Sequence, residues 1–135
     1  MAAQHFYPFN ALQKAAFVKL SADVSGASVV DDTAGKDYPL VVLGDHTSER
    51  VSSAGGSTNN VTLEVDVLST ASANKECNDL MDQVVQALTE EELDLSDDGF
   101  EARWLNVEGE FRREYDGQDV VRHGVVRVTW MIDKT

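Results

Sequence analysis

At 135 residues the chain has the length of one ordinary domain, and 42% hydrophobic residues are enough to build a core. Eleven Lys and Arg against 24 Asp and Glu give a net charge of -13 and a pI near 4.4; such a surface repels phosphates and argues against sequence-specific nucleic-acid binding. A lone cysteine, Cys77, excludes an intrachain disulfide and a thiolate metal cluster and suits a reducing cytoplasm, the N-terminus lacks a basic region followed by an apolar run, so no signal peptide is read, and no apolar stretch approaches the ~18 residues of a membrane span.

The first expected element is a helix opened by Pro8 and Asn10. Asn10 is a suitable N-cap, Gln13 takes the capping-box position, and Phe9, Leu12, Ala16 and Leu20 recur at helical spacing. The Ser-Gly-Ala-Ser run at 25–28 ends it. A turn at 36–39 then feeds a strand over 40–44. Residues 46–60 are polar, with adjacent glycines at Gly55 and Gly56, and predict a long loop or the tip of a hairpin arm. From Val61 the alternation is clean. Val61, Leu63, Val65 and Val67 share one face, Thr62, Glu64 and Asp66 the other, as in a half-buried antiparallel strand.

A second helix is expected from an N-cap at Ser72. Cys77, Leu80, Met81, Val84, Val85 and Leu88 form its apolar stripe; Glu76, Asp79, Asp82, Gln83 and Gln86 form its wet face. Glu90, Glu91 and Glu92 end it, opposing the macrodipole. Two long strands follow, joined at Asp116-Gly117. Val126, Val128, Trp130 and Ile132 face one way on the return strand. Trp104 has the opposite parity to Leu105, Val107 and Phe111, which calls for a β-bulge near Trp104. The whole chain, 1–135, reads as a single α+β domain: an antiparallel sheet with two helices packed on one face and a long loop or hairpin arm between the first two main strands.

No residue pattern assembles a catalytic, cofactor or metal site. Residues 94–99 resemble half of a calcium loop, but position twelve is Leu105, so an acidic turn is the better reading. His5, His46 and His123 lie in separate segments; His123 reads as a partly exposed strand residue and Cys77 as a small core hydrophobe. Residues 55–58 lack a phosphate-loop lysine. Trp104 and Trp130 read as core or interface aromatics. Charge is uneven. Residues 51–100 hold one basic residue, Lys75, against eleven acids, while the segment from 101 onward has six basic and seven acidic.

The order of pieces is more informative than any single residue. Asn10-Ala-Leu-Gln-Lys-Ala-Ala-Phe-Val-Lys-Leu20, with Lys14 and Lys19, precedes Asp31-Asp32 and Asp37-Tyr-Pro-Leu-Val-Val-Leu-Gly44. A strand-to-helix passage over 61–88 follows, and the end reads Arg122-His-Gly-Val-Val-Arg-Val-Thr-Trp130. In this order the chain resembles the tail-completion, or tail-terminator, proteins of long-tailed bacteriophages and gene transfer agents, over nearly its whole length. It departs from them in a short segment before Asp31 and an unusually acidic 90–98 stretch.

The resemblance implies a structural virion protein and not an enzyme. It implies a homo-oligomer, a hexameric ring, that caps the head-proximal end of the tail tube, ends tube polymerisation and joins the tail to the head connector or stopper protein. Such a protein is made in the bacterial cytoplasm and sits at the head-tail junction of the virion. It uses no cofactor or metal, touches no membrane, and lets DNA pass without specific binding. On this reading Thr47, Ser48, Glu49, Arg50, Ser53, Gly55, Gly56 and Asn59 are expected at a subunit or tube interface. Glu64, Asp66, Glu90, Glu91 and Glu92 are candidates for the bore. The alternatives are another neck or tail-tube protein of the same particle, and a small-ligand-binding α+β protein.

Overall fold

The computed structural model describes residues 8–31, 37–51, 58–71, 74–116 and 119–134. Within them run α1 (Phe9–Asp23), β1 (Ser28–Val30), β2 (Leu40–Arg50), β3 (Thr58–Ser69), α2 (Lys75–Thr89), a 3-10 turn (Ser96–Asp98), β4 (Phe100–Asp116) and β5 (Asp119–Lys134). The strands form one five-stranded sheet in the order β1-β2-β3-β5-β4. β1 pairs with β2 in parallel; every other pairing is antiparallel. The fold is α+β, with α2 lying on β3 and β5, and α1 on α2, β1 and β2.

β3 sits at the centre, and its sequence explains why. Asn59, Val61, Leu63, Val65, Val67 and Ser69 are buried, and each residue between them is half-buried. The buried set points at the helices, where Leu12, Ala16, Leu20, Leu80, Val84 and Leu88 close the core with Val126, Val128, Trp130 and Ile132 of β5. The apolar stripes of both helices are therefore located as the spacing predicts, with Phe9, Met81 and Val85 at its margins.

Two bulges keep the inner face apolar. Leu105 is the extra residue between the pairs Trp104–Trp130 and Asn106–Thr129, so Ala102 and Trp104 share a face with Val107 and Phe111 despite their opposite parity. In β2 the register slips between Leu43 and His46. Gly44 gives room there: a Cβ would stand 2.8 Å from the Asp66 carboxylate and 3.1 Å from the Glu64 carbonyl, so a larger residue would make its neighbours shift.

Several boundaries differ from expectation. Helix α1 begins at Phe9, two residues before the start that an Asn10 N-cap implies, because Pro8 (φ -81) takes the N-cap position and its carbonyl accepts from the Leu12 N–H at 2.9 Å; Asn10 lies within the first turn. Helix α2 is capped at Asn74, and Ser72 lies outside the described residues. The Asn74 side chain makes no cap bond, because its Oδ1 accepts from Arg122 Nε at 2.7 Å. β1 was not anticipated: three residues next to a glycine turn carry too little alternation to register. Of the two readings of 46–60, the hairpin arm stands and the long loop does not. Residues 46–50 and 58–60 are paired strand, and Val51 N–H donates to the Thr58 carbonyl at 3.0 Å, so only the tip, 52–57, lies outside the described residues.

Candidate functional site: an assembly surface

The consecutive residues Arg122, His123 and Gly124 on β5 have three separate tasks. Arg122 reaches the start of α2, donating to the Ala71 carbonyl at 2.6 Å and to Asn74 Oδ1 at 2.7 Å. Gly124 lies beneath that helix. A Cβ there would stand 2.3 Å from Met81 Sδ and 3.3 Å from Cys77 Sγ, so any side chain at this position forces Met81 to move. Cys77 is fully buried, and burial pushes its thiol pKa up, as expected of an inert packing residue.

His123 points to the opposite face and is held between two carboxylates. Nε2 lies 2.6 Å from Asp66 Oδ1, and Nδ1 lies 2.7 Å from Glu114 Oε1. Burial disfavours the imidazolium, but the two carboxylates outweigh it and raise the pKa above its ordinary value. His123 in turn lowers Glu114. Two steps along the same face, past Val125, Arg127 bridges Glu64 at 3.2 Å and Glu110 at 3.5 Å. The expectation of a partly exposed strand histidine missed these clusters. Their signal was present: acids and bases at alternate positions of neighbouring strands, readable once the register is known.

The expected bore residues fall on two sides of the sheet. Glu64 and Asp66 are on the face away from the helices. Glu90, Glu91 and Glu92 follow α2 in the helix layer, where Glu91 lies 3.9 Å from Lys19 and Glu92 accepts from the Trp104 N–H at 2.9 Å. The sheet separates the two sets. Asp94 caps its own turn, accepting from Ser96 N–H at 3.0 Å and from its hydroxyl at 2.5 Å, which lowers the Asp94 pKa. That is an acidic turn, stopped by left-handed Gly99 (φ 79).

Of the expected interface residues, Thr47, Glu49 and Arg50 are exposed on β2 and Ser48 is half-buried. Asn59 departs from them, being 6% exposed on the helix-side face. Ser53, Gly55 and Gly56 lie outside the described residues. His46 packs on Phe9 with ring centroids 5.4 Å apart, and burial lowers its pKa. His5 is outside the described residues, and among those described no group of three His, Cys, Asp or Glu is placed to hold a metal. Trp130 is core, whereas Trp104 is 43% exposed on the edge strand.

Residues 14–133 match the family described as Tail completion protein gp17. The chain belongs to that family. Among solved structures, it is 21% identical to a chain from the virion of a native gene transfer agent particle, covering 95% of this chain and 99% of that one with a TM-score of 0.73. It is 25% identical to the gp17 protein of bacteriophage SPP1, covering 96% and 95% with a TM-score of 0.58. No curated protein matches. As a tail completion protein, the chain is a structural component of a phage-like virion tail. In this member the motif lysines serve the helix layer: Lys14 pairs with Asp98 at 3.3 Å and Lys19 with Asp23 at 2.8 Å.

Proposed function

We propose that this tail completion protein forms a closed homomeric ring, hexameric, on the head-proximal end of the tail tube. The ring ends tube polymerisation and gives the head's connector or stopper protein a face to dock on. The family match over 14–133 carries this reading. The mechanism is geometric. One ring face copies the tube's subunit interface, the other accepts no further tube ring, and closed rotational symmetry limits growth to one layer. The exposed part of the β2–β3 hairpin, Thr47, Ser48, Glu49 and Arg50 with the tip carrying Ser53, Gly55 and Gly56, contacts a neighbour or the tube. DNA passes through without specific binding.

Because the sheet separates the two acidic sets, one bore wall holds one of them. We assign Glu64 and Asp66 to it, on the sheet face without helices. The role is structural and not enzymatic, which fits charged clusters that satisfy one another. Adding the purified protein to polymerising tube subunits tests the reading: it predicts short tubes with one extra ring at one end. Unrestricted stacking of this protein into the tube identifies a tube protein instead.

A further inference from the structure

The geometry points to a head-to-tail contact between copies of this chain: the far ends of β4 and β5, at Arg113, Tyr115 and Val120 of one subunit, seat in the groove between α1 and residues 91–98 of the next. This rests on the ring reading above and names the surface that builds the ring. The groove measures about 340 Å³. Its floor is apolar, with Ala15, Val18 and Leu93, and Val18 is 63% exposed in the isolated subunit. Its rim is acidic: six carboxylates against two lysines, Lys14 and Lys19. An apolar floor under a negative rim suits an aromatic ring accompanied by a cation.

The hairpin end has that composition. β3 stops pairing with β5 at Arg122, while the pairs Glu114–Val121, Tyr115–Val120 and Asp116–Asp119 continue beyond it with no third strand among the described residues. Alternation puts Arg113 and Tyr115 on the same side as Phe111, which pairs with Gly124 beneath α2. The described helix-side positions of this projection are thus Arg113, Tyr115 and Val120, followed by Arg122, and none of these is acidic. Among the described residues no helix covers the end, and Tyr115 is 77% exposed.

A chain cannot make this contact with itself. The 91–98 segment leads directly into the start of β4, and the hairpin end lies at the other end of a 17-residue strand, roughly 50 Å away at about 3.3 Å per residue. The occupant is therefore a second copy. Because the two surfaces differ, the contact is heterologous and propagates until rotation closes the ring. The uneven charge of the sequence acquires a use: the acidic middle of one subunit meets the more balanced C-terminal hairpin of the next.

The test uses two full-length variants, each altered only at exposed positions, with circular dichroism confirming that each is folded. The hairpin variant is Arg113→Glu with Tyr115→Ala; the groove variant is Glu91→Lys with Val18→Asp. Wild type is expected to sediment as a ring and each variant alone as a monomer. An equimolar mixture retains one competent junction per pair, and is expected to give a dimer that grows no further. Rings formed by either variant overturn the contact and leave the ring reading standing. So does a mixture that stays monomeric while wild type forms rings. Wild type that never associates overturns both. Val18→Cys with Tyr115→Cys in one chain gives an independent check: oxidation should yield a covalent ladder of several subunits, and no ladder from assembled rings overturns the contact.

Discussion

At the scale of single residues, Gly124 and His123 carry the sharpest consequences. Gly124→Ala puts a methyl group where Met81 Sδ now sits, and overpacking of this kind costs roughly 1–3 kcal/mol. The added Met81→Ala change should recover part of that loss in a double-mutant cycle followed by urea denaturation. Strict additivity of the two losses contradicts the account of Gly124. His123 has a folded pKa raised above its ordinary 6.5. Its pairs with Asp66 and Glu114 therefore stabilise fully below that value, and the contribution is lost as pH rises through the folded pKa. His46 has the opposite sign: burial lowers its pKa, so protonation costs stability as pH falls through 6.5. Melting from about pH 5.5 to about pH 8 should show His123→Gln losing more at the acid end, and His46→Gln gaining there. Equal shifts at both ends would contradict the His123 assignment. Neither role was legible in the sequence, because His123 depends on which strand lies beside β5 and His46 on the helix that packs over it.

At the scale of elements, periodicity located what is buried. The spacing of Leu80, Val84 and Leu88 marked the inner face of α2, and all three are buried. Leu80→Ala or Leu88→Ala should each cost roughly 2–5 kcal/mol in chemical denaturation; a loss under about 0.5 kcal/mol at both contradicts the packing. The parity conflict at Trp104 was enough to place the β4 bulge. At 46–60 polar composition left a loop and a hairpin arm open; the hairpin stands, because β2 and β3 extend into a region where one face is wet and few apolar residues are needed. β1 escaped notice because a three-residue parallel edge strand is set by its neighbour β2 and not by its own pattern. The hairpin geometry gives a further prediction. Replacing 52–57 by Asn-Gly, which suits a two-residue turn, should leave the melting temperature nearly unchanged, since Val51 and Thr58 are already adjacent. The same change should abolish tail capping if the tip contacts a neighbour or the tube. Normal capping, scored by tail length, contradicts that role.

At the scale of the whole molecule, the fold and family were legible in the order of the pieces, but the surfaces were not, because a single sequence does not say which acids face which partner. Charge reversal separates the candidates. If Glu90, Glu91 and Glu92 are replaced by Lys, a groove role predicts that rings fail to form. A bore role predicts normal tails that deliver DNA poorly, most of all at low salt, where screening is weakest. Reversing Glu64 instead removes one of Arg127's two carboxylate partners and leaves Glu110, and for a bore position should impair delivery more than assembly. The central claim, a ring that terminates the tube, is tested most directly by electron microscopy of tails from cells lacking this protein. The account predicts tubes of uncontrolled length with no heads attached. Tails of normal, uniform length joined to heads would contradict it.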